Sequence, residues 1–377
     1  MIATAVIITL LYSLAMLFLL YGFSKASYFC GKNSAPKTTF SIVIPYRNEA
    51  ENLPLLFKSL LKLRYPLEMF EIIAVDDASE DSSAESWEEF RKGNPQFNIR
   101  LLQNFRKSGS PKKDAIELAV STSNNEYILT TDADCEVPQF WLQKYNSFIS
   151  ETNAIAVAAP VAVKYTGAKM TFLKRFQELD IFSLQAATIG GFGVNQPFMC
   201  NGANFCYSKM AFLIVNGFQG NNEIASGDDI FLLEKFQEKG FKTAFLKSPV
   251  AVVSTAPNFS WKQLFFQRVR WAAKTSAYKS FYSRGLGVLV LLMNVLILFL
   301  FIFVLLDLAQ PLLLLVIFLL KVLLDFLLIY SSAKFFNRKR AMKTFILSSL
   351  IYPFFSSAVA IYSLFSGYQW KGRYFKK

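Results

Sequence analysis

Residues 2–23 carry no charged side chain, and a run of about twenty apolar residues is what a helix needs to cross a bilayer. Three further runs follow near the other end of the chain: residues 286–306, 311–330 and 345–365. The chain is 53% hydrophobic and 16% aromatic, with 39 Phe, and those apolar residues gather in the runs. Such segments satisfy their backbone groups internally only as helices or closed barrels. The first run lacks the basic front and the small-residue cleavage site of a secretory signal, so it is expected to remain as an anchor. Lys25, Lys32 and Lys37 follow it. An excess of basic residues marks the cytoplasmic side, which places the N-terminus outside and the following domain in the cytoplasm.

The connection 307–310 has no basic residue, whereas residues 334–340 contain Lys334, Arg338, Lys339 and Arg340 and belong inside. The last run, containing Pro353, precedes Lys371, Arg373, Lys376 and Lys377. Simple alternation puts that tail outside, against the rule. Either the last run is re-entrant or interfacial, or the tail is an exception. Lys321 and Asp325 stand four apart inside the third run; the spacing puts them on one helix face as a neutralised pair. A multi-pass protein of the inner or plasma membrane is expected.

Two absences narrow the chemistry. The sequence has no His and only 4 Cys, none in a C-x-x-C pair. Ser-His-Asp, Cys-His and His-metal sites are thereby excluded, which leaves carboxylates as the available bases. The net charge of +13 fits basic loops beside anionic lipid and attraction of a phosphorylated substrate. No interleaved basic and aromatic patch occurs, so nucleic acid is not an expected partner.

Between the apolar runs, strand and helix patterns alternate. Residues 39–45, 71–75, 99–103 and 127–131 read as strands of the buried, parallel kind, with helices opening at Asn48 and spanning 80–92 and 113–121. The fold class is α/β with a mostly parallel sheet. Residues 155–163 read as a strand, 164–184 as an amphipathic segment, and 190–193 and 201–204 as loops where backbone approaches a ligand. In such a sheet ligands bind beyond the carboxyl ends of the strands. Three strands end there in polar groups: Arg47 and Glu49, Asp76 and Asp77, and Asp132 with Asp134.

Residues two apart on a strand point the same way, so Asp132 and Asp134 converge on one point. Converging carboxylates suit a hard cation, Mg²⁺ or Mn²⁺, whose shell substrate phosphates complete. No G-x-G-x-x-G or P-loop pattern follows any of these strands, which removes a dinucleotide or P-loop site. An acidic rim suits a nucleoside diphosphate. Lys112 and Lys113 stand ready to balance phosphate charge, and Lys113, Arg47 and Glu49 join Asp76 and Asp77 as donor-binding candidates. Downstream, Asp228 and Asp229 open a helix after a small-residue turn; in a His-free site Asp229 is placed to act as the base, with Asp228 the alternative. Gln267, Arg270 and Trp271 share one face of a helix.

Residues 41–49, 75–79, 131–134, 227–229 and 267–271 together resemble the motifs of membrane-bound, inverting family 2 glycosyltransferases. That group holds the cellulose, chitin and hyaluronan synthases and ceramide glucosyltransferase. The resemblance covers residues 38–275 and implies a GT-A fold using a nucleoside-diphosphate sugar, UDP-linked by preference. Asp76 or Asp77 would hold the nucleoside. Asp132 and Asp134 would form the D-x-D motif on a metal-bound diphosphate, Asp229 or Asp228 the base, and Gln267, Arg270 and Trp271 the contacts to diphosphate and acceptor. Gly227-Asp228 stands where the family has Glu or Thr before the base region.

The implied partition is an anchor over 1–24, a cytoplasmic transferase domain over 38–275, a membrane region over 286–366 and a basic tail over 367–377. Few apolar runs favour one transfer to a membrane lipid or lipid-linked acceptor. The alternatives are a short processive polysaccharide synthase and a non-catalytic membrane scaffold.

Overall fold

A computed structural model describes residues 2–31, 34–165, 170–365, 367–370 and 373–375. Lys32, Lys371, Lys376 and Lys377, which entered the charge-bias argument, lie outside the described residues. In chain order the elements begin with α1 (Ile2–Lys25), β1 (Phe40–Tyr46), α2 (Leu53–Leu60), β2 (Phe70–Asp76), α3 (Ser83–Gly93) and β3 (Ile99–Gln103). Next come α4 (Pro111–Thr122), β4 (Tyr127–Thr130), β5 (Cys135–Glu136), α5 (Trp141–Thr152), β6 (Ala156–Ala158), β7 (Val161–Val163) and α6 (Phe172–Gly193). Then follow β8 (Phe205–Ser208), α7 (Lys209–Ile214), α8 (Asp228–Glu238), β9 (Thr243–Phe245), β10 (Val253–Thr255) and α9 (Trp261–Ala273). The chain closes with α10 (Phe281–Leu305), α11 (Pro311–Phe335), α12 (Phe345–Phe365), β11 (Tyr368–Trp370) and β12 (Arg373–Phe375).

These elements divide into two compact units: residues 27–164 with 199–256, and residues 1–26 with 165–198 and 257–377. The first is built on a seven-stranded sheet of order β3-β2-β1-β4-β8-β6-β9 among the described residues. β3, β2, β1 and β4 run parallel, and β8 is antiparallel to both its neighbours. The continuous apolar runs of β1 and β2 are explained by burial on both faces; every residue of β2 is buried, as a parallel sheet covered on both sides requires. A second, three-stranded sheet pairs β10 with β5 and β7. The sequence pattern over 155–163 thus resolves into two short strands in two different sheets. Its break falls at Ala159-Pro160, where Pro cannot donate to a ladder.

Helix α2 begins at Leu53, with Asn52 in the cap position and a Pro in its first turn, rather than at Asn48. Asn48 instead takes φ 52°, and residues 48–50 form a turn. Their backbone N–H groups donate to the side chains of Ser79, Ser83 and Asp81.

Among the described residues the second unit holds four helices long and apolar enough to cross a membrane: Ile2–Lys25, Phe281–Leu305, Pro311–Phe335 and the stretch Lys339–Phe365, which includes α12. Helices α6 and α9 group with them. Gly190, Gly191 and Gly193 are helical residues of α6, not a loop. The close approach expected of their backbone is made to another helix. A Cβ added at Gly190 would stand 2.5 Å from the Leu19 carbonyl oxygen of α1, and one at Gly22 or Gly193 would overlap the facing backbone. Small residues at such a crossing let two helix backbones meet. Lys321 Nζ lies 2.5 Å from Asp325 Oδ2, with Lys321 buried, as the four-residue spacing leads one to expect.

Candidate active site

Parallel β1, β2 and β4 all finish on one edge of the sheet. Tyr46 pairs with Asp76, and the Thr131 N–H donates to the Val43 carbonyl. Because β8 is antiparallel and Thr130 pairs with Phe205, the turn before β8, residues 201–204, reaches the same rim. Asp132 and Asp134 follow β4 directly. The ligand atoms of Asp132, Asp134 and Cys135 lie within 4.8 Å of one another. Hard carboxylate oxygens suit Mg²⁺ or Mn²⁺, and the buried thiol is a softer neighbour. The donor set therefore fits a divalent cation. Burial first, and then the Asp134 charge, hold the Cys135 thiol well above its ordinary pKa. Its Sγ lies 3.4 Å from Asp134 Oδ1, and Thr255 Oγ1 lies 3.4 Å from Oδ2, so β10 braces the second acid.

Lys112, at the start of α4, binds this cluster together. Its ammonium donates to Asp132 Oδ1 at 2.7 Å and lies 3.2 Å from Asp228 Oδ2. Burial alone would lower its pKa, but Asp132, Asp228 and Asp229 raise it above the ordinary lysine value, so the side chain is cationic at neutral pH. Asp229 accepts the Gly202 N–H at 3.1 Å on Oδ2 and the Ile230 N–H at 2.8 Å on Oδ1. A Cβ added at Gly202 would stand 2.8 Å from Asp228 Oδ2, so a side chain there would push that carboxylate aside.

The donor-side candidates divide by position. Asp76 Oδ1 accepts the Ser79 N–H and hydroxyl at 2.9 and 2.6 Å. Asp77 Oδ1 accepts from Asn104 Nδ2 and Arg106 Nε, each at 2.9 Å. Both acids are buried at the end of β2. Arg47 is also buried and ties β1 to the next turn: it donates to the Asp77 carbonyl at 2.9 Å, to the Ala78 carbonyl and to Glu80. Glu49 accepts from Asn52 Nδ2 at 2.7 Å. Lys113 is 1% exposed, and its ammonium donates to the carbonyls of Asn221 and Ile224 while facing the Phe231 ring. Adjacent helical residues point about 100° apart, so one lysine braces a loop and its neighbour meets the acids. Of the pair, Lys112 faces the rim.

Two residues that the motifs did not single out organise these parts. Asn204, fully buried, accepts from Trp141 Nε1 at 2.8 Å and the Tyr145 hydroxyl at 2.9 Å. It donates to the carbonyls of Pro160 and Ala251. In the helical unit, Arg268 on α9 lies between the expected Gln267, Arg270 and Trp271. It is paired with Asp180 of α6 at 2.5 Å, donates to Gln267 Oε1, and lays its guanidinium over the Trp271 ring at 4.1 Å. Asn258 Nδ2 also donates to Gln267. A buried asparagine with all its hydrogen-bonding groups used leaves no pattern in sequence; Arg268 was hidden by the motif flanking it.

An acid cluster beyond the carboxyl ends of parallel strands, with a three-stranded sheet attached, defines a nucleotide-sugar-type GT-A domain. The whole chain superposes on mannosyltransferase PcManGT from Pyrobaculum calidifontis, whose structure was solved with GDP-Man and Mn²⁺. The TM-score is 0.59 at 14% identity, over 97% of this chain and 99% of that one, a likeness of fold. Residues 41–215 match the model of the Glycosyl transferase family 2, and the protein carries a family 2 glycosyltransferase domain. The probable glycosyltransferase YdaM of Bacillus subtilis is 26% identical over 62% of this chain and 54% of its own. The undecaprenyl-phosphate 4-deoxy-4-formamido-L-arabinose transferase of Proteus mirabilis is 35% identical over 26% of this chain and 29% of its own. The chain thus spans about half of the first relative and under a third of the second.

Proposed function

We propose that the protein transfers a sugar from a nucleoside diphosphate to a lipid or lipid-linked acceptor, with inversion at the anomeric carbon. The observation that carries this reading is the Asp132–Lys112–Asp228 chain beside Asp229 on the carboxyl rim of a GT-A sheet. Asp76 and Asp77, at the end of β2, are assigned to the nucleoside. Asp132 and Asp134 would hold Mg²⁺ or Mn²⁺, which when bound neutralises the diphosphate. Asp229, with Asp228 as the alternative, takes the proton of the acceptor hydroxyl as its oxygen attacks C1. The bond from C1 to the diphosphate oxygen breaks, and the nucleoside diphosphate leaves with that electron pair. Lys112 neutralises charge on the departing oxygens. Gln267, Arg270 and Trp271 are assigned to diphosphate and acceptor.

A lipid acceptor is supported by the four apolar helices and by the acceptor in the name of the Proteus relative. The same helices, with Lys25 ending the first of them and Lys37 following it, support the reading of a plasma- or inner-membrane protein whose transferase domain is cytoplasmic. The test is incubation of membranes carrying the protein with a panel of labelled UDP- and GDP-sugars plus Mg²⁺ or Mn²⁺, followed by lipid extraction. One labelled lipid species is expected, lost with chelator and in Asp229→Asn. A ladder of products would replace the single transfer with polymer synthesis, and full turnover in Asp229→Asn would remove that residue as the base.

A further inference from the structure

Helices α1, α6, α10, α11 and α12 of the helical unit line a half-open cavity of about 160 Å³. That is the size of an interior space that holds a six-carbon ring. Most of its wall is apolar, but among the described residues three polar groups on it are left without a full set of hydrogen-bond partners. Asn294 is 0% exposed; its Nδ2 donates to the Val290 carbonyl at 2.8 Å, and its Oδ1 has no partner. The Ser348 hydroxyl is buried with no partner. The Lys321 ammonium makes one hydrogen bond, to Asp325 Oδ2, and otherwise faces the rings of Tyr12 and Tyr352. Buried polar atoms left alone cost about 1–3 kcal/mol each, and an apolar helix bundle offers no bulk water to meet them.

The charges of the wall cancel. Lys321 is paired with Asp325, whose other oxygen accepts the Tyr12 hydroxyl at 2.5 Å, and Asp180 is paired with Arg268. A phosphate placed here would add negative charge beside two carboxylates in a desolvated space. An uncharged hydroxyl fits: its oxygen accepts from Lys321 while its proton goes to Asn294 Oδ1 or Ser348. The cavity holds a glycerol-sized fragment, and the apolar remainder of such a molecule would lie among the helices. We propose that this cavity binds the head of an uncharged, hydroxyl-bearing lipid of the diacylglycerol class.

The full-length protein in phosphatidylcholine nanodiscs is irradiated with a diacylglycerol carrying a diazirine beside its glycerol, without any sugar donor, and the labelled peptides are mapped. Saturable labelling is expected on α10–α12 peptides that include Asn294 or Ser348. Unlabelled dioleoylglycerol competes, and dioleoyl phosphatidic acid competes at least tenfold less well. Asn294→Leu, which removes the orphaned acceptor, and Ser348→Phe, which fills the space, each cut labelling fivefold or more. Unsaturable or absent labelling, equal competition by phosphatidic acid, or undiminished labelling in both variants overturns the proposal. Should labelling succeed while the donor panel gives no transfer, the transferase reading fails and the lipid site stands.

Discussion

Replacing Asn204 tests whether one buried side chain holds the rim together. Asn204→Ala removes four hydrogen bonds, but the losses are unequal. The Tyr145 hydroxyl retains a contact to the Asn204 carbonyl at 3.2 Å, and the Pro160 carbonyl still accepts the Val253 N–H at 3.1 Å. The Trp141 indole N–H and the Ala251 carbonyl lose the hydrogen bonds that Asn204 makes to them. Two stranded buried groups at about 1–3 kcal/mol each give a cost of roughly 2–6 kcal/mol. At about 2–4 °C per kcal/mol for a unit of this size, the melting temperature should fall by on the order of 10 °C. Asn204→Asp keeps both acceptor contacts yet turns a carboxylate oxygen toward two carbonyls. It should be at least as damaging at pH 7, and its deficit should shrink toward pH 5 as protonation restores one donor. Tryptophan-fluorescence melting of the purified protein reads both variants. If Asn204→Ala melts within 2 °C of the wild type, the rim is not held in this way.

Gly202→Val should abolish transfer with only modest loss of stability, because its side chain would displace Asp228 and the Lys112 bridge; turnover and melting measured together check this. Gly190→Val, at the α1–α6 crossing, should destabilise the helical unit by about 1–3 kcal/mol or more, seen as a lowered melting temperature in detergent. Lys247 is buried over the Tyr28 ring, and burial lowers its pKa to about 8. The folded form therefore sheds its proton before the unfolded form does, so stability rises with pH between about 8 and the ordinary lysine value near 10.4. Lys247→Met should flatten that rise, measurable as melting temperature against pH.

The apolar runs, the alternation of strand and helix and the acidic strand ends were legible in the chain itself, since burial on both faces and length set such patterns locally. Those patterns place Asp132 and Asp134 on one rim and pair Lys321 with Asp325 without any tertiary information. What only packing decided is which neighbour faces where. Lys112 and Lys113 look alike in sequence, yet one meets Asp132 and Asp228 while the other is spent on two carbonyls. The glycines of 190–193 read as a loop because glycine breaks an isolated helix; the crossing with α1 compensates that intrinsic cost and turns the small residues into the contact itself. Asn204 and the Arg268–Asp180 pair carry no sequence signature because the residues they join come from distant segments. Local pattern records burial and period, whereas the pairing of polar groups across the fold exists only once the segments meet.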